Sequence, residues 1–363
     1  MIIMQAINDL TGYNWPFEGK KHIGTIVLLP YREDTWPNGG LDALKAFYDI
    51  VKAISKYERV YLGVSKNVKK EMVKPFYEQE NVEIINIEYN DAWARDNTLI
   101  FLNDGKTIKA VDFGFNAWGG SYDGLYSDYD NDNKLGGRLA RFFDMNVISA
   151  KDFILEGGSI HTNGKGTIIT TKACLLSKGR NPNLSQNQIE NNLKKYLNAK
   201  KVIWLPKGIY EDETNEHVDN ICCFLDENTV ALAWCNDKND PQYENSMACY
   251  EVLKKENINV IKIPVPGKPL TLTNEEASRI IANDQAKPRL EGDRLAASYV
   301  NFYQGAKFVL VPQFGCSEDE QAIEILKNFY KDKEVIGINS RSILVGGGNI
   351  HCVTMQIGEI ENE

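Results

Sequence analysis

The sequence has few residues in the arrangements that bind metal ions. It contains four histidines and seven cysteines in 363 residues, and no two cysteines form a CxxC pair. His217 and Asp219 are two positions apart, while His351 and Cys352 are adjacent. Neither spacing matches the close pairs that usually begin a zinc site. We therefore expect no metal ion, and the chemistry that the sequence suggests needs no other cofactor.

Long hydrophobic runs and an excess of positive charge are also missing. The longest apolar stretches have the length of strands, well short of the ~18 residues of a transmembrane helix, and the first residues do not resemble a secretory signal. A formal net charge of −9 argues against nucleic acid or an anionic membrane as a partner and is compatible with a small cation. The odd, irregularly spaced cysteines indicate reduced thiols in a cytoplasmic protein. The sequence does not decide whether the protein forms a homo-oligomer.

Short apolar runs alternate with amphipathic segments along the whole chain. Eleven runs predict strands, at residues 24–30, 59–64, 82–87, 98–102, 108–113, 166–171, 201–206, 229–234, 259–265, 307–312 and 334–338. The pair CC at 222–223 is also typical of a strand in the core. Helical stripes cover residues 41–54, 189–197 and 322–329. Capping signals at Ser185, Thr273 and Ser317, each with Gln or Glu three positions later, predict helix starts.

The interleaving of strands and helices indicates the α/β fold class. No Pro/Ser-rich linker or block of charge divides residues 1–363, so we expect a single domain. Residues 121–134, SYDGLYSDYDNDNK, have the composition of a loop. We expect its aspartates to be solvated, with a calcium site as the lesser alternative.

Two internal echoes indicate pseudo-symmetry. The stretch GGSIH at 157–161 recurs as GGNIH at 347–351, and ARDN at 94–97 resembles HVDN at 217–220. Their period is too loose for a solenoid of repeats. We expect equivalent loops to converge on one axis, where a site can be built.

Four polar clusters follow apolar strands or lie in glycine-containing turns, at residues 90–97, 155–161, 213–220 and 346–352. Such positions let side chains enter a cleft instead of the core. The clusters contain the thiol of Cys352, the imidazole of His217 and several carboxylates. Charged groups beside apolar strands are costly to bury unless they are paired or used. Each residue alone also fits a structural role, with Asp96 pairing with Arg95 or Cys352 filling the core.

Together the clusters favour nucleophilic catalysis on a cation. The carboxylates Asp96, Asp219 and Glu156 suit a planar guanidinium, which two carboxylates can bind through forked hydrogen bonds. Trp93 and Trp118 could add a cation–π wall. Cys352 as a thiolate would attack the guanidinium carbon. His217 would protonate the departing ammonia and then activate water. The carboxylates should raise the pKa of Cys352, so that the cationic substrate itself helps to ionise the thiol.

Long stretches of the sequence resemble agmatine deiminases, a family of the guanidine-modifying superfamily related to bacterial peptidylarginine deiminases. The similar motifs are DAWARD, GFNAWGG, LEGGSIHTNGKGTIITTKACLL, WLPKGIYEDETNEHVDN, AKPRLEGDRLAASYVNFY, VPQFG and GGGNIHC. The resemblance implies a five-bladed α/β propeller with pseudo-fivefold symmetry. It further implies that agmatine is hydrolysed to N-carbamoylputrescine and ammonia.

The resemblance also assigns roles to individual residues. It implies Cys352 as nucleophile, His217 as acid and base, and Asp96 and Asp219 on the guanidinium. Glu156 would support the histidine and the substrate, and Trp93 would line the pocket.

Two other functions fit the same residues. One is deimination of free or peptidyl arginine, whose carboxylate would favour an Arg or Lys at the far end of the pocket. The other is a non-catalytic protein that binds guanidines or polyamines. A nucleophilic thiol adds nothing to the holding of a cation, which argues against the second.

Overall fold

Sixteen strands run through residues 10–358, the part of the chain that the computed structural model describes. Their bounds are β1 (His22–Leu28), β2 (Val60–Val64), β3 (Val82–Asn86), β4 (Ile100–Asn103), β5 (Ile108–Gly114), β6 (Val147–Ile154), β7 (Ile160–Thr162), β8 (Thr167–Thr171), β9 (Lys201–Leu205), β10 (Cys222–Phe224), β11 (Thr229–Trp234), β12 (Asn259–Pro264), β13 (Tyr303–Gln304), β14 (Phe308–Gln313), β15 (Glu334–Asn339) and β16 (Thr354–Gly358). They form five small sheets within that range.

The five sheets repeat one pairing pattern. In four of them three consecutive strands pair first antiparallel and then parallel, as in β4–β5 followed by β5–β6. The sheets β7–β8–β9, β10–β11–β12 and β13–β14–β15 repeat this order. In the fifth sheet β16 pairs antiparallel with β1, and β1 continues in parallel to β2 and β3. The last strand therefore completes the sheet that the first strand begins.

Helices connect the parallel strands and cover the sheets. The described helices are α1 (Leu44–Ser55), α2 (Lys70–Val73), α3 (Ala94–Asn97), α4 (Gly120–Asp123), α5 (Asp130–Asn133), α6 (Leu135–Phe142), α7 (Lys172–Leu175), α8 (Gln186–Leu197), α9 (Val218–Ile221), α10 (Gln242–Lys255), α11 (Asn274–Ala277), α12 (Glu318–Phe329) and α13 (Arg341–Gly346). Short 3₁₀ turns lie at Pro37–Ala43, Lys74–Phe76 and Gly157–Ser159. None of the helices between residues 10 and 358 has the length and hydrophobicity needed to cross a bilayer.

The strand predictions are confirmed, with four omissions. All eleven predicted runs and the CC pair lie on strands. The sequence pattern missed β6, β7, β13 and β16. Strands β7 and β13 are antiparallel edge strands of three and two residues, too short to show a period, whereas the edge strand β16, TMQIG, does alternate polar and apolar residues. Strand β6 contains Lys151 and Asp152, which interrupt its hydrophobic pattern.

The capping predictions had mixed outcomes. Ser185 and Gln188 form the predicted capping box at α8. Thr273 and Glu276 form one too, but the helix that follows lasts a single turn. The helix start predicted at Ser317 is confirmed, since Ser317 is the N-cap of α12, but this residue makes no side-chain cap and has helical dihedrals, φ −61° and ψ −27°. A capping side chain normally requires an extended N-cap residue.

The expectation for residues 121–134 is wrong for the loop conformation and for Asp132, while Asp130 is exposed as expected. Two single-turn helices, α4 and α5, interrupt this segment, and Asp132 is 1% exposed. Its Oδ1 accepts hydrogen bonds from the backbone N–H of Asn90 at 2.7 Å and the side chain of Asn97 at 3.0 Å, and its Oδ2 accepts one from the Tyr126 hydroxyl at 2.6 Å. The pairing with these donors compensates the burial of Asp132, which composition alone could not reveal.

Substitution of Asp132 by Ala should destabilise the fold strongly. The change would leave several buried donors beside α3 without an acceptor, so we expect the free energy of unfolding to fall by roughly 2–4 kcal/mol. Asp130→Ala, on the same short helix but exposed, is the matched control and should change it by less than about 0.5 kcal/mol. Urea unfolding followed by circular dichroism measures both. Equal effects would contradict the structural role of Asp132.

Candidate active site

A short polar segment precedes the antiparallel edge strand of each sheet, and the five segments meet. They are α3 before β4, residues 156–159 before β7, α9 before β10, residues 298–301 before β13, and residues 349–352 before β16. Both sequence echoes lie in these segments, and the rings of His161 and His351 lie 6.0 Å apart. The predicted convergence of the echoed loops is therefore found.

Backbone hydrogen bonds hold the segments together. The N–H of Arg95 donates to the carbonyl of Cys352 at 3.1 Å, and the N–H of His351 donates to the Asn301 side chain at 3.1 Å. The N–H of Gly158 donates to Asp96 Oδ1 at 2.8 Å. The site is thus fixed by the main chain of four different sheets.

The predicted nucleophile, Cys352, is buried and has polar neighbours. Its Sγ lies 3.3 Å from Asn301 Nδ2 and 3.8 Å from Asp219 Oδ2. Burial, followed by the charges of Asp219 and Asp96, raises the pKa of the thiol well above its ordinary value. The expectation that carboxylates raise this pKa is confirmed, although burial contributes more.

His217 lies between two of the predicted carboxylates. Its Nδ1 is 3.8 Å from Asp96 Oδ2, and its Nε2 is 3.7 Å from Glu156 Oε2. Burial lowers the pKa of His217, but Asp96 and the other neighbours outweigh it and hold this pKa well above its usual value. The imidazole is therefore protonated on both nitrogens at neutral pH, which suits a proton donor.

Glu156 is held by a buried arginine that the sequence reasoning missed. Arg180 Nε lies 2.7 Å from Glu156 Oε1, and both side chains are fully buried. Although burial raises the pKa of Glu156, Arg180 and His217 lower it to about 2. Arg180 lies in the stretch KGRNP after helix α7, and apart from its charge the local sequence gives no sign of a role.

Asp96 faces His217 and Asp219 across a glycine. Trp118 Nε1 donates to Asp96 Oδ2 at 2.9 Å. A Cβ on Gly158 would lie 2.7 Å from His217 Nδ1 and 2.9 Å from both Asp219 Oδ2 and Asp96 Oδ1. Only glycine lets these three groups come this close. Burial is the main reason that the pKa of Asp96 rises to about 6.

A second histidine, His351, orients Asp219. Its Nδ1 is 2.8 Å from Asp219 Oδ2 and its Nε2 is 2.8 Å from Glu18 Oε2, which also lies 3.3 Å from Arg95. Both bonds need a donor from the ring, so His351 is an imidazolium. Burial opposes this charge, but Glu18 and Asp219 raise the pKa of His351. Arg95 pairs with Glu18 and not with Asp96.

One oxygen of Asp219 is left over. Oδ1 is buried and has no hydrogen-bond partner among residues 10–358. The pKa of Asp219 is lowered, because hydrogen bonding to and the charge of His351 outweigh the burial. The Asp219 carboxylate, whose Oδ2 lies 3.8 Å from the Cys352 thiol, therefore keeps one ionised oxygen that a cationic N–H donor could bind.

Indole rings form the walls above the carboxylates. The pocket encloses about 540 Å³ of empty space, counting its open mouth, and Trp93, Trp118, Asp96, His217 and Cys352 line it. The rings of Trp93 and Trp118 meet edge to face at 6.3 Å, and Asp91 accepts from Trp93 Nε1 at 2.9 Å. All the predicted site residues are therefore close together, with Asp219 and Glu156 behind the lining.

The outer part of the pocket carries both signs of charge. Glu213, Lys287 and Arg289 line it. The Arg289 guanidinium pairs with the Glu213 carboxylate, and Lys287 Nζ donates to the carbonyl of Asp123 at 2.6 Å. Both cations therefore already have partners.

Comparison with known proteins identifies the family. The model of the Porphyromonas-type peptidyl-arginine deiminase family matches residues 14–358. This chain belongs to that family. It is 44% identical to a putative agmatine deiminase 1 of Listeria monocytogenes serotype 4b (strain F2365), over 95% of this chain and 96% of the relative. It is 42% identical to a putative agmatine deiminase of Selenomonas ruminantium, over 99% of this chain and 100% of the relative.

Solved structures of family members superpose over nearly the whole chain. An agmatine deiminase of Enterococcus faecalis matches with a TM-score of 0.92 and 36% identity, over 96% of this chain and 97% of the other. A C. jejuni agmatine deiminase with substrate bound matches with a TM-score of 0.83 and 29% identity, over 96% of both chains. The mixed α/β fold is thus the fold of these deiminases.

The imidazolium of His351 in this deiminase-family site predicts a pH-dependent stability difference. Its folded-state pKa is raised, so its contribution to stability is fully present below the unfolded value of about 6.5 and is lost as the pH rises through the folded value. His351→Gln should therefore lower the free energy of unfolding by about 1–3 kcal/mol near pH 6, and by less in alkaline solution.

His161→Gln is the control of opposite sign. Burial is the main reason that the pKa of His161 is lowered to about 4. Folding therefore disfavours the protonated ring, and the free energy of unfolding of the wild type should rise as the pH increases from 4 towards 6.5. The free energy of unfolding of the wild type minus that of His161→Gln should increase over that pH interval. Urea unfolding at a series of pH values measures both differences. A difference for His351→Gln that does not change with pH would contradict the imidazolium.

Proposed function

We propose that this protein hydrolyses agmatine to N-carbamoylputrescine and ammonia through a covalent bond to Cys352. The observation that carries the proposal is the Asp219 carboxylate, whose Oδ2 lies 3.8 Å from the Cys352 thiol and whose Oδ1 has no hydrogen-bond partner among residues 10–358, with Asp96 and the His217 imidazolium across Gly158. A planar cation between the two carboxylates would place its central carbon within reach of the sulfur.

The thiol gains its reactivity from the substrate. Without a ligand, burial and the charges of Asp219 and Asp96 keep Cys352 protonated. A bound guanidinium adds one positive charge to the same space, and the thiolate adds one negative charge, so the two changes offset each other. Substrate binding and ionisation of the nucleophile are therefore coupled.

The reaction then proceeds in two halves. The thiolate forms a C–S bond to the guanidinium carbon, and the resulting tetrahedral adduct breaks one C–N bond as His217 protonates the nitrogen that leaves as ammonia. The product is a thiouronium on Cys352. His217, now neutral, removes a proton from water as its oxygen attacks the same carbon. The C–S bond then breaks to release the thiolate and an O-protonated urea, which loses its extra proton to solvent.

The neighbours of His217 and Asp219 position these groups. Glu156 lies at Nε2, on the side of the ring away from Asp96, so Nδ1 faces the space between the two aspartates. His351 fixes one oxygen of Asp219 and leaves the other for the substrate. Trp93 and Trp118 supply flat apolar faces for the guanidinium. No metal ion or organic cofactor is needed for any step.

The fold supports the same proposal. Five sheets with one repeated pairing pattern, each contributing the segment before its edge strand to the site, are what a five-bladed α/β propeller would present. We propose that arrangement, with residues 1–363 as a single domain. A cytoplasmic location and a homo-oligomeric state stay predictions.

Deimination of arginine is the second candidate, because Lys287 and Arg289 line the outer pocket. Their existing bonds to Asp123 and Glu213 argue against it, since a substrate carboxylate would have to displace Glu213. Agmatine lacks that carboxylate. Relatives that carry the name agmatine deiminase at 42–44% identity favour agmatine as well.

Ammonia release should therefore discriminate between substrates. We expect kcat/KM for agmatine to exceed that for arginine, or for a peptide ending in arginine, by about 100-fold or more, because repulsion from Glu213 acts only on substrates with a carboxylate. Coupled detection of ammonia measures all three. Comparable values for agmatine and arginine would overturn the substrate and leave the thiol mechanism standing.

Replacement of the nucleophile tests catalysis itself. Cys352→Ser should lower the rate of ammonia release by at least about a thousandfold, while Cys316→Ser, which lies outside the pocket, should react at nearly the wild-type rate. Mass spectrometry of the acid-quenched wild type should show an amidino adduct on Cys352. Normal turnover by Cys352→Ser would favour a protein that needs no thiol and contradict the mechanism.

A further inference from the structure

A buried cysteine lies behind the proposed acid and base. Cys174 is on α7 and is fully buried. Its sulfur, a ring nitrogen of His217 and a carboxylate oxygen of Glu156 all lie within 4.8 Å of one another. The ring nitrogen nearest Glu156 is Nε2, at 3.7 Å from Oε2. The proposed mechanism uses Nδ1 of His217. Glu156 lies at the other ring nitrogen, Nε2, on the opposite edge of the imidazole.

The polar atoms that face this cluster are only loosely paired. His217 Nε2 and Glu156 Oε2 are buried and lie 3.7 Å from each other, a contact longer than a normal hydrogen bond. Such atoms usually bind a protein group, a water or an ion. Arg180 Nε contacts the other carboxylate oxygen, Oε1, so it fixes the carboxylate without occupying Oε2.

We propose that Cys174, His217 and Glu156 form a binding site for Zn²⁺ or a similar borderline-soft divalent ion. Thiolate, imidazole and carboxylate are the three side-chain ligands that zinc takes, and a water would complete a tetrahedron. The three ligand atoms lie within 4.8 Å of one another and would have to move closer together around an ion. The ion would be an inhibitor and not a cofactor.

A second group of similar composition is less suited to binding a metal ion. Glu18, His161 and His351 also come within 4.8 Å of one another, but Glu18 and His351 are hydrogen-bonded at 2.8 Å and Arg95 lies 3.3 Å from the same carboxylate oxygen. A divalent cation there would have to break this hydrogen bond, whereas His217 Nε2 and Glu156 Oε2 are 3.7 Å apart; an arginine lies beside the carboxylate in both groups. The group around Cys174 is the better site.

Inhibition follows from coordination of His217, and this consequence rests on the proposed function. An ion held by Cys174, Glu156 and a ring nitrogen of His217 would fix the imidazole as a ligand, so that it could no longer exchange protons with the leaving group and with water. Because the site is buried, inhibition should develop slowly, through local opening.

Cobalt binding tests the site without reference to activity. Untagged protein is titrated anaerobically with CoCl₂ as the wild type and as Cys352→Ser, Cys174→Ser and Cys316→Ser, and the thiolate-to-cobalt charge-transfer band is recorded. We expect a saturable band that Zn²⁺ abolishes in the wild type, Cys352→Ser and Cys316→Ser, and no band in Cys174→Ser. A band that persists in Cys174→Ser and vanishes in Cys352→Ser would place the ion on the nucleophile and overturn the proposal.

The spectrum of Cys352→Ser decides the matter even if Cys174→Ser fails to fold, since absence of a saturable band there refutes the site. Activity gives a second readout. Half-inhibition of ammonia release should need about tenfold or more Zn²⁺ in Cys174→Ser than in Cys316→Ser, and equal requirements would contradict the proposal. A cobalt band without any turnover of agmatine would leave the site intact and refute the proposed function, whereas turnover without a band would do the reverse.

Discussion

The balance of buried charge around Cys352 is the constraint on which the site depends. Burying an ion is costly unless a counter-charge accompanies it, and the acids and bases that the ion pairs around Cys352 join are equal in number. The acids are Glu18, Asp96, Glu156 and Asp219, and the bases are Arg95, Arg180, His217 and His351. A thiolate alone would break this balance, and a thiolate together with a guanidinium would keep it. In the proposed mechanism, the free protein therefore holds an unreactive thiol that a cationic substrate would activate.

The architecture explains how so many charges are held without solvent. Each sheet contributes one short segment just before its edge strand, and main-chain bonds join segments from different sheets. The charges consequently sit on backbone that neighbouring strands fix. The two histidines with raised pKa values, His217 and His351, have different positions and partners. His217 faces the space for substrate, while His351 bridges Glu18 and Asp219 and keeps one aspartate oxygen free.

Much of this could be predicted from the sequence, because the polar clusters interrupt apolar strands at obvious places. Cys352, His217 and Asp96 stood out for that reason. Glu18 and Arg180 did not, since each lies far along the chain from the groups it pairs with, and long-range pairing leaves no local pattern. His351 was noted only as a neighbour of Cys352. Its link to Glu18, 333 positions away, depends wholly on the tertiary fold.

The errors have the same origin. An aspartate-rich segment predicts solvation only if no distant donors meet it, and Asp132 meets several. Edge strands of two or three residues carry too few side chains to show a period. The cluster around Cys174 also escaped the sequence, because a cysteine in the middle of a helical turn is indistinguishable from core filling until its neighbours are known.

The coupling between cation and thiol is tested most directly by titrating Cys352 with and without a ligand. The thiolate absorbance of the wild type minus that of Cys352→Ser, followed from neutral to alkaline pH, gives the pKa of this one thiol. It should lie well above the ordinary thiol range in the free protein, and an unreactive cation of similar length, such as a diamine or an alkylamidine, should lower it. A thiol already ionised at neutral pH, or a pKa that no cation changes, would contradict the coupling.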